Sequence, residues 1–158
     1  MAPYSADLLS RDIVRLGLQG AVSWPGLLTG EDLQEEYRRA SLLVFPSVAP
    51  YESFGLVLVE AMMWGLPLIV SDWRANAEVA GDKCGGIIYK PGPDHVASLR
   101  AALDEGLERE DQWPEWSRKN RQRYEASFTV ERFRSNFESF FANIFNANRD
   151  GWEHCADT

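Results

Sequence analysis

The chain has 158 residues, 45% of them apolar, and a net charge of -8 from 16 basic and 24 acidic side chains. That length suits one domain with a real core, and the composition excludes a disordered or fibrous protein. The acidic balance argues against nucleic acid as a partner, because a phosphate backbone needs a positive face.

In chain order, SADLLSRDIVRLGL (5–18) places Leu8, Leu9, Ile13 and Leu16 at helical spacing, with Gly17 and Gly20 ending the pattern. AVSWPG (21–26) reads as a short strand stopped by Pro25 and Gly26. TGEDLQEEYRRA (29–40) reads as a helix, with Thr29 as cap, acids early and arginines late. SLLVFPS (41–47) is apolar without alternation, which predicts a strand covered on both faces, as in a parallel sheet. YESFGLVLVEAMMWG (51–65) follows as a helix apolar on every side, and LPLIVSD (66–72) as a second buried strand. RANAEVAG (74–81) reads as a short helix and GGIIYKPG (85–92) as a third strand. PDHVASLRAALDEGLE (93–108) is an amphipathic helix with Asp94 near its start. The remainder is helical, in two segments at 115–128 and 129–148. The second carries Phe133, Phe137, Phe140, Phe141 and Phe145 as a packing stripe for the sheet or a neighbouring domain. Short apolar strands alternating with helices predict a layered α/β domain.

Cys84 and Cys155 form no close pair, and with His95 and His154 they give no metal-ligand spacing. This predicts a reduced, cytoplasmic protein without structural zinc. His154 and Cys155 are adjacent, either as a metal pair or, as the end of the chain favours, in a frayed tail. The start MAPYSADLLSRDIV carries charges where a leader needs an apolar run. The longest apolar span, 54–70, is broken by Glu60, Gly65 and Pro67, which predicts helix, turn and strand rather than a membrane crossing.

Two carboxylates interrupt the apolar stretch 51–65. Glu60 sits in a helix expected in the interior, where a carboxylate must be paired, protonated or facing a polar cleft. Glu52 lies in the turn after the strand ending at Ser47. In open α/β sheets ligands collect beyond the carboxyl ends of the strands. The following helix turns its free N–H groups and positive dipole end into that crevice. Ser53, Phe54, Gly55 and Leu56 would supply those N–H groups, and Gly55 would let a ligand approach the backbone. Eight residues of helix span about 12 Å, so a ligand touching both acids is long. A nucleoside diphosphate sugar has that length and offers hydroxyls at both ends. The structural alternative is that Glu52 caps the helix and Glu60 pairs with an arginine inside the fold.

FPSVAPYESFGLVLVEAMMWGLPLIVSD (45–72) resembles the donor-site signature of retaining glycosyltransferases of family 4 (group 1), which have the GT-B fold. The matching residues are Pro46, Ser47, Glu52 and Glu60 as an E-x7-E pair, Phe54-Gly55, Glu60-Ala61-Met62, Gly65 and Pro67. Glu78, GGIIYKPG and VSWPG lie where that family has a glutamate, its last strand and an earlier strand. The resemblance covers roughly residues 20–110. It implies a Rossmann-like three-layer domain with a mostly parallel sheet, the C-terminal donor-binding domain of such an enzyme. The whole chain, 1–158, is then one domain with its core at about 20–110, C-terminal helices at 112–148 and a flexible tail at 149–158.

The resemblance also implies roles. Glu52 would touch the donor sugar, the backbone of Ser53 to Leu56 would face the sugar and diphosphate, and Glu60 would bind the ribose. No metal and no cofactor would be required, with a nucleoside diphosphate sugar of unknown base as donor. The chain departs from the pattern as well. The acceptor domain is absent, as are the first two strands of the donor domain and the basic pair that grips the diphosphate. Those strands lie in the family's sheet between VSWPG and LLVFPS. The chain therefore rearranges, borrows strands from another copy or polypeptide, or is a fragment of a longer chain. In SDWRANAE, Trp73, Arg74 and Ala75 replace small glycines. Arg74 would contact phosphate or Trp73 stack on sugar, against the plainer reading of a solvated loop. RKNRQR (118–123) would touch anionic lipid, against the plainer reading of a solvated helix face. The expectation is the nucleotide-sugar-binding half of a hexosyltransferase, weak or inactive alone. The alternative is a non-catalytic module that oligomerises or docks on a partner.

Overall fold

Three short apolar runs become three parallel strands: β1 (Leu43–Phe45), β2 (Leu68–Ser71) and β3 (Gly86–Tyr89). They are described by a computed structural model covering residues 6–153, with side chains described for 7–145. His154 and Cys155 lie outside the described residues. The sheet order is β1-β2-β3, with Leu43 opposite Leu68 and Ile69 opposite Ile87. The helices are α1 (Ala6–Arg15), α2 (Gly30–Arg39), α3 (Leu56–Met63), α4 (Asn76–Ala80), α5 (His95–Glu108), α6 (Trp113–Ser127) and α7 (Val130–Glu153).

The chain divides into two compact units, the first ending at Glu36 and the second beginning at Tyr37. The first holds α1, closed at its end by Leu18 N–H donating to the Ile13 carbonyl at 2.9 Å, and an irregular stretch up to α2. The second holds the sheet. Alternate strand residues face opposite sides, as pleating requires. Leu68 and Val70 join Leu58, Ala61, Met62, Val79 and Ala80 in one core under α3 and α4. Ile69, Ile87 and Tyr89 join Ala102 and Trp116 in a second core under α5 and the start of α6. The result is helix, sheet and helix in three layers, the Rossmann-like α/β arrangement expected. β2 is central and buried throughout, which explains its unbroken apolar run.

α6 is fastened by one side chain. Asn120, fully buried, donates from Nδ2 to the carbonyls of Leu66 at 2.7 Å and Gly85 at 2.8 Å. Its Oδ1 accepts from Gly85 N–H at 2.8 Å. The backbone of Gly85 passes so close to that of Trp116 that a β-carbon there would collide with the Trp116 carbonyl. α5 begins as expected: Asp94 is its cap, accepting from Ala97 N–H at 3.0 Å.

Three sequence expectations change. Residues 22–26 form no strand, and Trp24 is 61% exposed. A strand needs a hydrogen-bonded neighbour, Pro25 has no N–H to give, and none is paired to this stretch among the described residues. β1 is half-buried rather than covered on both faces, because it is the outer strand of the sheet. α3 is not interior on every side: Leu58, Ala61 and Met62 face the core while Leu56 is 67% exposed and Glu60 is exposed. The aromatic stripe of α7 does not pack on the sheet, with Phe133 at 68% and Phe145 at 67% exposure, and a neighbouring domain is the other surface the sequence offers it.

Candidate functional site

Parallel pairing brings the carboxyl ends of all three strands to one edge of the sheet. Of the three loops that leave that edge, two are 46–55, between β1 and α3, and 72–75, between β2 and α4. A buried polar chain ties these two together. Ser71 Oγ donates to the Ser47 carbonyl at 2.6 Å, and Asn76 Nδ2 donates to Ser71 Oγ at 3.2 Å. Trp73 Nε1 donates to the Ala49 carbonyl at 2.9 Å. Trp73 thus holds the neighbouring loop. The Asn76 side-chain oxygen is buried without a partner among the described residues, beside the backbone of Gly55.

Glu52 is half-buried in the first loop, and its Oε2 accepts from Ser47 Oγ at 3.2 Å. It does not cap α3. The cap position is Gly55, with φ 73 and no capping side chain. Among the described residues, the N–H groups of Ser53, Phe54, Gly55 and Leu56 have no hydrogen-bond partner in the chain. Four free donors at the positive end of a helix, with no side chain over them, form an anion-receptive array. Phe54 is 43% exposed and meets Phe128 edge-on at 6.3 Å.

Glu60 lies about one turn into α3, on its outer face. Its partner is Tyr37, whose hydroxyl donates to Glu60 Oε2 at 2.7 Å. Burial first, then that hydrogen bond and the nearby carboxylate, hold the Tyr37 hydroxyl well above the ordinary tyrosine range. Tyr37 is therefore a neutral donor under physiological conditions. Among the described residues no cation pairs with Glu60, so the buried arginine partner considered from the sequence is not what the fold provides.

Arg74 stands exposed in the second loop with φ 51, the left-handed region that favours glycine. The cationic side chains of 118–123 are already engaged. Arg118 is 2.7 Å from Glu115, Arg121 is 2.7 Å from Glu125, and Arg123 donates to the carbonyls of Glu78 and Val79 at 2.7 and 2.8 Å. Among the described residues, no group of His, Cys, Asp and Glu side chains is placed to hold a metal ion. No helix among them is long and apolar enough to cross a membrane.

Sequence reasoning overlooked Tyr37, Ser71 and Asn76. A serine ending an otherwise apolar buried strand was a signal for Ser71. Asn76 and Tyr37 become visible only when loops and helices distant in sequence are brought together.

The fold is that of a Rossmann-like domain with free helix amides and two acids along its carboxyl edge. The chain belongs to the family described as Glycosyl transferases group 1, which matches residues 5–123. It is 33% identical over 109 residues to the O-antigen chain mannosyltransferase B of Escherichia coli, covering 69% of this chain and 27% of that protein. It is 36% identical over 92 residues to an uncharacterized glycosyltransferase of Methanocaldococcus jannaschii, covering 58% of this chain and 23% of the relative. The structure of Anabaena HepE in complex with UDP superposes with a TM-score of 0.73 at 23% identity, over 87% of this chain and 36% of that one. The chain thus spans about a quarter of the length of these curated relatives. These matches are consistent with the C-terminal domain of a retaining group 1 glycosyltransferase of GT-B fold.

Proposed function

We propose that this chain is the nucleotide-sugar-binding half of a retaining hexosyltransferase. The observation that carries the reading is the bare N-terminus of α3, flanked by Glu52 and Glu60 at the carboxyl edge of a parallel sheet. The free amides of Ser53 to Leu56 receive the diphosphate, and their dipoles stabilise its charge as the sugar departs. Glu52, held by Ser47, accepts hydroxyls of the donor sugar at the reacting end. Glu60 accepts ribose hydroxyls at the other. Arg74, an unengaged cation on the adjoining loop, adds charge for the phosphates. The complex of HepE with UDP supports a diphosphate nucleotide as the class of ligand. The acceptor wall would come from another domain, so the chain alone is expected to transfer sugar slowly. Brisk transfer by the purified chain without a partner overturns that part.

The test is a thermal-shift panel with UDP, GDP, ADP, CMP and representative diphosphate sugars. A ligand at 100 times its dissociation constant adds about 2.7 kcal/mol to stability. One base is expected to give such a shift, and Glu60→Ala to abolish it. No shift with any of them overturns the reading.

A second reading, a non-catalytic module that self-associates, is favoured by the exposed phenylalanines of α7. A stable oligomer indifferent to nucleotides would support it.

A further inference from the structure

We propose that Tyr37 is the positioning residue for Glu60, locking its carboxylate in the orientation that reads a ribose diol. The inference rests on the donor-site reading above. Tyr37 lies in the last turn of α2, and its half-buried ring packs against the core that includes Leu58, Ala61 and Met62, which fixes where its hydroxyl stands. The hydroxyl donates to Glu60 Oε2 at 2.7 Å, a short bond of the charge-assisted kind. Glu60 is exposed and has no cation beside it among the described residues. Without Tyr37 its side chain would sample several rotamers in solvent.

A carboxylate has about four lone-pair sites. Tyr37 occupies one, on Oε2, and leaves Oε1 and the rest open to solvent. Vicinal hydroxyls supply two O–H donors to those sites. An unrestrained glutamate gives up rotamer freedom when a ligand fixes it. Here that freedom is already spent in the free protein, which is how preorganisation raises affinity. The neutral tyrosine does this without cancelling the negative charge, whereas an arginine would have filled the acceptor sites.

The experiment measures dissociation constants by calorimetry for UDP, GDP and ADP, each against its 2′-deoxy form, on wild type, Tyr37→Phe, Glu60→Gln and the double variant. Phenylalanine keeps the ring in the core, and circular dichroism checks the fold; Glu60→Gln leaves Tyr37 an acceptor and tests the same contact from the other side. Wild type is expected to prefer the ribonucleotide by about tenfold, the size of a hydrogen bond to a charged group. Tyr37→Phe should weaken the ribonucleotide several-fold, leave the deoxy form unchanged and lower the ratio by the same factor. Adding Tyr37→Phe to Glu60→Gln should not change the ratio further. Equal loss for both forms, or an undiminished ratio in Tyr37→Phe, would mean that the tyrosine only supports the fold, and the inference fails alone. Wild type that binds both forms equally also overturns it while leaving the donor site standing. No binding of any nucleotide by wild type overturns both.

Discussion

At Gly55 the backbone turns into the left-handed region, φ 73, at the start of α3. The residue is buried, and a β-carbon would meet Leu58 Cδ1 at 3.2 Å and Asn76 Oδ1 at 3.3 Å. From sequence, this glycine is the place where a ligand nears the backbone. In the fold its missing side chain faces inward, and its purpose is conformational: it lets the chain enter the helix with four amides uncapped. Gly55→Ala should therefore cost about 1–3 kcal/mol, from left-handed strain and the inward crowding. Urea denaturation measures it, and nucleotide affinity should fall with it because the amide array shifts. Arg74 carries similar backbone strain at φ 51 without a glycine to absorb it. A strained residue that brings a cation to the ligand edge fits a functional trade of stability for charge.

The helices differ in what holds them. α5 has a conventional capping aspartate, Asp94, legible from its position before an amphipathic run. α6 depends on Asn120, which lies inside RKNRQR, a stretch that reads as a polar surface. Only every third or fourth residue of a helix faces the same way, so one buried asparagine hides among solvated cations. Asn120→Ala leaves the Gly85 N–H, the Gly85 carbonyl and the Leu66 carbonyl without their partner. Unsatisfied buried groups cost about 1–3 kcal/mol each, so a loss of about 3 kcal/mol or more is expected in chemical denaturation. The same substitution should not change nucleotide specificity, since Asn120 meets the amino end of β2 and the start of β3 rather than the ligand edge.

At the scale of the whole molecule, the sheet has three strands and no further strand is paired to either side of it among the described residues. α7 adds Phe133, Phe137, Phe140 and Phe145 to the exposed apolar surface, each more than half exposed. The rings of Phe137 and Phe141 lie tilted against each other along this face, centroids 4.6 Å apart. An apolar stripe of this size marks an interaction surface. The chain is expected to self-associate with rising concentration in sedimentation velocity, and Phe137→Glu to shift it toward monomer. Unchanged association in Phe137→Glu would place the contact elsewhere, with the open sheet edges as the next surface to alter.

Local pattern determined much by itself. The fully buried β2 was legible because it is central: unbroken apolarity is what two covered faces demand. So were most of the helices, the Asp94 cap, and the family through the spacing of Glu52, Glu60, Gly65 and Pro67. Tertiary structure decided the rest. The apolar run of β1 looked equally interior, yet an outer strand has one neighbour and only half its burial. VSWPG has strand composition, but composition cannot supply a pairing partner. Glu60 read as dry because its neighbours in sequence are apolar. In the fold those neighbours turn to the core and leave the acid outside, facing a tyrosine 23 residues earlier. Which side of a helix meets solvent, and which distant side chain meets it there, are set by packing between elements, and no local stretch of sequence contains that information.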